Sequence, residues 1–537
     1  MPLFSFNAMG NSRSAPASSP TISTRDGKIQ GKRLVDEAAF KADAYLGIPY
    51  AQPPLGDLRF RKPVAPNKWT DTRECFEHPK KCVQVPFELL CQLDKDHPAS
   101  EDCLYLSVFC PGDYTLKDDK YPVMVWIHGG GFTCGSTKAY GDVGICDGLV
   151  RHGIVVVTVQ YRLGVAGFFS TGDEVCPGNF GLWDQLEALK WVQENIVHFG
   201  GDNENVTVFG QSAGGASTDL LSLSPKTKGL MHKAIPMAGN ACAPWSHQTS
   251  ITQFSREYAE TKLGIRADSS QELIDQLRRL PADRLATALE MKIALGEANL
   301  GFCPVIDGDF LPHPVAELRL ASPALPVMAG VTALECGLFI PDASENINED
   351  QLRTTVEAML PEHAIQESSQ ALIKLYKEVA LRKQPKNELW RAIVEMTSDR
   401  LFNIPTLETL KQCAKKGAKT YMYNFDYYNP KCFVSELAKA TPAEDASHCA
   451  ELAYVFNAGV AAAFTFCDHD KQVAGLMMRA ISNFAKRGDP NEEGEQRWLP
   501  CDAQNPERHM VIDLKPKMED QYLGGRCSRW IELQKHV

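Results

Sequence analysis

The chain has 537 residues, 67 acidic and 56 basic, for a formal net charge of -11. Hydrophobic residues make up 44% and charged ones 23%, the mix of a globular protein with a sizeable core. The acidic balance excludes a general nucleic-acid or anionic-membrane binder, which needs clustered Lys and Arg, and no uncharged apolar run approaches the ~18 residues of a spanning helix. Residues 1 to 22 are rich in Ser, Pro and Ala and read as a flexible tail, with 23 to 537 as one domain. From Thr24 to Lys62, short β-like runs are broken by Gly and Pro. Tyr121 to His128 and Gly153 to Gln160 are continuous apolar, β-branched runs, the pattern of strands buried on both faces. Asn179 to Phe199 spaces Leu182, Leu186, Leu189, Val192 and Ile196 as one face of a helix, stopped by Gly200-Gly201. A strand over Val206 to Phe209, a tight turn over Gly210 to Gly215 and a helix from Ala216 make a βα unit. Further strands are expected at Leu325 to Gly330, Thr420 to Phe425 and His509 to Leu514, with helical insertions over Ser250 to Glu290 and Gln351 to Lys411. The fold class is α/β: a large central, mostly parallel twisted sheet flanked by helices.

Seventeen cysteines is an odd number, so at least one thiol has no partner within the chain. Together with an N-terminus without a basic, apolar leader and a C-terminus without a retention tetrapeptide, this points to a reducing, cytoplasmic setting. The one sequon, Asn205-Val206-Thr207, falls in an expected strand where a glycan would not fit. Met9-Gly10-Asn11-Ser12-Arg13-Ser14 fits the N-myristoylation pattern, which would lipidate Gly10 and attach the chain peripherally to membranes if translation began at Met9. The plainer reading is a chance match in a Ser-rich tail.

Gly210-Gln211-Ser212-Ala213-Gly214 fits G-x-S-x-G between an expected strand and helix. A serine at such a turn is forced into a strained conformation with its hydroxyl clear of the sheet. The N-terminus of the following helix points at it, so the Ala213 N–H can donate to a developing oxyanion. By itself the pattern also fits a βα turn without chemistry. His128-Gly129-Gly130-Gly131-Phe132, directly after the first long strand, is an oxyanion-type loop whose glycines let several N–H groups face one point. A phosphate loop is the competing reading, but neither Gly-Lys-Ser/Thr nor G-x-G-x-x-G is present. The two loops together point to acyl transfer. A serine nucleophile needs a base, usually His held by a carboxylate, following it in the chain. His363, His448, His469, His509 and His536 all qualify by order; His448, between a polar loop and an apolar stretch, has the best setting.

Six runs, these two loops among them, appear in order. They are Ser100-Glu101-Asp102-Cys103-Leu104-Tyr105-Leu106, the loop at His128, Tyr161-Arg162-Leu163-Gly164, Gly178 to Gln185, Phe199-Gly200-Gly201-Asp202 and Phe209 to Gly215. From about Thr24 to Trp530 the chain therefore resembles the type-B carboxylesterase/cholinesterase family, of α/β-hydrolase fold, and most of all its intracellular invertebrate carboxylesterases. The resemblance implies Ser212 as nucleophile, His448 as base, Glu335 as acid, and Gly130, Gly131 and Ala213 as oxyanion donors. It places Trp245, Phe302, Leu338 and Phe339 in the acyl and substrate pocket, a disulfide between Cys82 and Cys103, and a structural ion pair between Arg59 and Glu101. Departures from the family pattern are Gln211 for the usual Glu, Cys336 and Cys449 for glycines after the acid and the base, Cys242 without an evident partner and Ile404 where Cys527 would meet a second Cys. No Trp lies between Trp69 and Trp126, so the ring on which choline-binding relatives stack a quaternary cation is missing. Ala298 and Leu300 stand where acetylcholine-specific relatives carry aromatics, which implies a roomier acyl pocket. The expected activity is carboxylic-ester hydrolysis on a small-molecule ester, with no cofactor and no metal. The alternatives are acyl transfer to a small acceptor from the same acyl-enzyme, or a non-catalytic binding protein, which Ser212 argues against. Oligomeric state is not readable from the sequence.

Overall fold

Alternating side chains along each central strand enter two separate cores, and this decides the architecture. In the computed structural model Val123, Val125 and Ile127 join one apolar cluster while Met124 and Trp126 join another. Val155, Val157 and Val159 likewise face away from Val156. A strand buried on both faces needs helices on both sides of its sheet, which explains the unbroken apolar runs. The structure describes residues 18–85, 94–114, 119–287, 300–340, 347–360, 362–383, 387–431, 443–460 and 464–535.

Twelve strands form the main path of the sheet: β1 (Ser18–Ser23), β2 (Lys28–Asp36), β3 (Lys41–Pro49), β4 (Tyr105–Pro111), β5 (Tyr121–Ile127), β6 (Val155–Val159), β7 (Gly201–Gln211), β8 (Lys233–Met237), β9 (Val327–Thr332), β10 (Thr420–Phe425), β11 (His509–Ile512) and β12 (Lys517–Glu519). Their order is β1-β2-β3-β4-β6-β5-β7-β8-β9-β10-β11-β12, with a short strand, Arg73–Glu74, beside β2. Along the path from β6 to β11 every adjacent pair is parallel; the pairs from β1 through β4 to β6 and the β11–β12 edge are antiparallel. The chain is thus an α/β-hydrolase, a large mixed sheet flanked by helices.

Several expectations shift at their edges. The tail expected to reach residue 22 gives way at Ser18 to β1, because Thr21 to Ser23 pair with Lys28 to Gln30 as an antiparallel edge. The strand expected over Val206 to Phe209 runs from Gly201 to Gln211, held on both sides by β5 and β8. The helix expected from Ala216 begins at Ala213, directly behind Ser212. The expected Asn179 helix is α1 (Phe180–Asn195), and the one behind Ser212 is α2 (Ala213–Leu223). Between β9 and β10 lie, among others, α3 (Glu388–Ser398) and α4 (Ile404–Lys415). Helices outside the expected segments include α5 (Asp468–Arg487) and α6 (Arg526–Lys535). α5 nevertheless carries Val473, Met477, Ile481 and Phe484 at helical spacing and buries all four. Asn205 of the sequon sits inside β7 and bonds the Lys486 carbonyl and Lys233 Nζ. Among the described residues, no helix is long and apolar enough to cross a membrane. Gly10 and Ala298 lie outside the described residues, so the lipidation expectation and part of the acyl-pocket expectation do as well.

Candidate active site

The register of the central strands brings two loops together. Ile127 of β5 pairs with Gly210 of β7, so the His128-Gly129-Gly130-Gly131 segment leaves the sheet beside the Gln211-Ser212 turn. A β-carbon on Gly129 would stand 2.6 Å from the Gln211 carbonyl and 3.1 Å from Ser212 Cβ. Ser212 has φ 58 and ψ −125, a strained conformation for a residue with a side chain. The strain is held by neighbours: its N–H donates to the Met237 carbonyl at 2.9 Å, and its carbonyl accepts from Ala216 at 2.9 Å. Glycine is required at two points of the turn. A β-carbon at Gly210 would lie 2.4 Å from the Gly214 carbonyl oxygen, and one at Gly214 would lie 2.0 Å from that of Ile127. The pattern of glycines around the serine is thus a packing requirement of strand against helix.

Among the described residues, the N–H groups of Gly130, Gly131 and Ala213 donate to no other protein group. For Ala213 this follows from its place at the first turn of α2, where N–H groups have no intrahelical partner. The glycine loop is shaped from behind by His128. Its Nδ1–H donates to the Gly129 carbonyl at 2.8 Å, its ring stacks on Tyr161 at 4.5 Å, and the Tyr161 hydroxyl donates to the His128 carbonyl at 2.8 Å. Burial lowers the His128 pKa to about 4, so the ring stays neutral and serves as scaffold.

Glu335 opens the segment after β9 and is fully buried. Its Oε1 accepts from the Thr332 N–H at 2.6 Å, and its Oε2 lies 2.5 Å from His448 Nδ1. Both carboxylate oxygens are thereby committed. The Glu335 and His448 loops are joined directly by a backbone bond from Leu334 N–H to the Ala446 carbonyl at 2.9 Å. α3 braces both: the Cys336 N–H donates to Ser398 Oγ at 2.9 Å, and Arg391 Nη1 donates to Asp445 at 2.5 Å. The His448 ring packs against Phe339 and Phe402, with ring centroids at 5.1 and 5.0 Å, and against the Gln211 carboxamide. Among the described residues the Ser212 hydroxyl forms no hydrogen bond.

The residues expected around the acyl group separate into two sets. Trp245 stands near the turn: its Cη2 would lie 3.0 Å from a β-carbon on Gly239, itself placed 2.1 Å from the Ser212 carbonyl oxygen. Trp245 also packs on Phe402, and Phe339 on both Phe402 and His448. Leu338, half-buried, precedes Phe339 in the same segment. Phe302 instead packs on Phe169, Phe254 and Tyr258, and its ring touches none of the rings around His448. Phe402, which no sequence motif marked, joins Trp245, Phe339 and His448. Cys82 and Cys103 are joined by a disulfide, whereas Cys242, Cys336, Cys449 and Cys527 are free thiols. Arg59 and Glu101 form a buried pair at 2.7 and 2.5 Å. Among the described residues, no cluster of three or more His, Cys, Asp or Glu side chains is arranged to hold a metal ion.

A serine at a strained strand-to-helix turn, beside unpaired N–H groups and near an imidazole bonded to a carboxylate, is the kind of site that α/β-hydrolases use for acyl chemistry. Comparison with known proteins agrees. Residues 18–530 match the model of the carboxylesterase family. The chain is 37% identical over 500 residues to esterase cest-33 of Caenorhabditis elegans, covering 90% of this chain and 89% of that protein. It is 34% identical over 536 residues to carboxylesterase 1C of Rattus norvegicus, with 96% and 94% covered. With the medium-chain fatty acyl-CoA hydrolase precursor of Anas platyrhynchos it shares 32% identity over 543 residues, with 97% and 93% covered. The chain belongs to the carboxylesterase family and is a carboxylic ester hydrolase.

Proposed function

We infer that ester hydrolysis proceeds through an acyl-enzyme on Ser212, with His448 as general base and then general acid, and Glu335 as the residue that orients the imidazole. Ser212 attacks the ester carbonyl as His448 takes its proton, and the same proton then passes to the departing alcohol. Water repeats the sequence in reverse and releases the carboxylic acid. Gly130, Gly131 and Ala213 supply N–H groups to the tetrahedral oxyanion, and losing one such donor typically costs about 3 to 4 kcal/mol of barrier.

The observation that carries this reading is the 2.5 Å contact between His448 Nδ1 and Glu335 Oε2, in a ring that also rests on the residue preceding Ser212. An imidazole bonded through Nδ1 to a carboxylate presents Nε2 as its basic atom. The neutral Gln211 beside the nucleophile and the missing tryptophan before residue 100 favour uncharged esters over choline esters as substrates. A cytoplasmic setting accords with the thirteen free thiols among the described residues.

The test is Ser212→Ala, read with a chromogenic ester and a fluorescent organophosphonate. Turnover is expected to fall by at least about a thousandfold and labelling to vanish, with the thermal unfolding midpoint near that of the parent. Retained turnover in the folded variant would refute the assignment.

A further inference from the structure

Two departures from the family pattern, Gln211 and Cys449, are 238 positions apart in the chain and touch in the fold. Cys449 Sγ donates to Gln211 Oε1 at 3.3 Å. The carboxamide nitrogen of Gln211 then lies 3.4 Å from His448 Nδ1 and 3.2 Å from Nε2. An atom that close to both ring nitrogens cannot lie in the ring plane, where Cε1 would block it, so the amide rests on a face of the imidazole. Which end of the carboxamide faces the ring follows from the thiol. Burial pushes the Cys449 thiol well above its usual range, so Sγ–H remains a donor, takes the oxygen, and leaves the NH2 group to the ring.

The backbone adds an independent observation. Cys449 has φ +73, in the left-handed region where a β-carbon is strained and glycine is not. A cysteine therefore occupies a position at which the local conformation favours glycine, and its side chain is committed to Gln211. Elsewhere the ring is held at Nδ1 by Glu335 and packed against Phe339 and Phe402. The Glu335 contact fixes one ring nitrogen, and the Gln211 amide adds a contact on the face of the ring.

We propose that Cys449 is a positioning residue that acts through Gln211 on His448, fixing the tilt at which the imidazole meets the Ser212 hydroxyl. This rests on the proposed roles of Ser212 and His448. It gives both departures one physical purpose: a neutral amide, held in one orientation by a thiol that does not ionise, in place of a carboxylate.

Three variants of the full chain, Cys449→Gly, Cys449→Ser and Ser212→Ala, are compared by thermal unfolding, by kcat and KM for p-nitrophenyl butyrate and by the rate of phosphonylation. Cys449→Gly relieves the backbone strain, so its unfolding midpoint is expected to equal or exceed the parent's. Its kcat and phosphonylation rate should nevertheless fall on the order of tenfold, with KM within about twofold. Cys449→Ser restores a donor to Gln211 and should recover most of the loss. A purely structural role for Cys449 predicts the opposite, no loss in the better-adapted glycine variant. Parental kcat in Cys449→Gly, or equal impairment of the Gly and Ser variants, overturns the proposal. Ser212→Ala separates the two readings: if it retains turnover, the triad reading itself fails, whatever Cys449 does.

Discussion

Glu451 stands three residues after His448, buried, and neither of its carboxylate oxygens has a partner among the described residues. Burial, reinforced by the nearby Glu335 carboxylate, raises its pKa to about 8. The folded protein therefore keeps a proton on Glu451 that the unfolded chain releases near pH 4.5. Between those values the folded state binds more protons than the unfolded one, so stability falls as pH rises. Glu451→Gln, which cannot ionise, should flatten that fall. Relative to the parent, its unfolding midpoint should gain as pH is raised from 5 to 8, by the equivalent of a few kcal/mol at most. An unchanged difference between variant and parent across that range would show that Glu451 is already ionised in the fold. Legibility at this scale was uneven for a physical reason. The Ser212 turn is a local device whose glycines lie within five residues, so it is written in the sequence. The contact of Cys449 with Gln211 spans hundreds of residues, and the two could only be seen singly, as unusual residues.

Among the elements, α1 shows how separate motifs become one contact. Asp184 of α1 receives the Arg162 backbone N–H at 3.0 Å and two guanidinium hydrogen bonds at 2.7 Å each. The segment it clamps is built into the glycine loop: Tyr161 bonds the His128 carbonyl, and the Gly164 N–H donates to the Phe132 carbonyl at 2.8 Å. The helix thus carries rigidity from the sheet to the glycine loop. The Tyr161-Arg162-Leu163-Gly164 and Gly178 to Gln185 runs stood out in the sequence, but their partnership did not, because a salt bridge across a fold leaves no periodic trace. Both side chains are buried, so removing one partner strands the other without solvent. Asp184→Ala is expected to lower the free energy of unfolding by about 3 to 5 kcal/mol, measured by denaturant or thermal unfolding. A loss under about 1 kcal/mol, the range of an exposed pair, would mean that water reaches Arg162.

Across the whole molecule, the machinery and the pocket come from different parts of the chain. The proposed catalytic groups sit beyond the carboxyl ends of parallel strands: the glycine loop after β5, Ser212 after β7, Glu335 after β9 and His448 after β10, where open α/β sheets place their sites. These strands were legible because burial on both faces writes a continuous apolar run. The walls near His448 come from the long insertions, with Trp245 after β8 and Phe402 from the helices between β9 and β10. Helices packed on one another can present almost any residue to a pocket, and so Phe402 went unmarked while Phe302, expected there, packs on Phe169, Phe254 and Tyr258. With Phe302 turned to that second aromatic cluster and Leu300 in place of an aromatic ring, the space for the acyl group should accept more than acetate. Each added methylene that leaves water is worth about 0.8 kcal/mol, so moving from acetate to butyrate esters of one alcohol should raise kcat/KM about tenfold. A chain-length series that peaks at acetate would require an aromatic wall against the acyl methyl group. Phe402→Ala separates the sources of such a wall. If Phe402 supplies it, the variant should extend the optimum to longer chains; if it does not, the optimum should stay where it was while kcat falls through the loosened His448 ring.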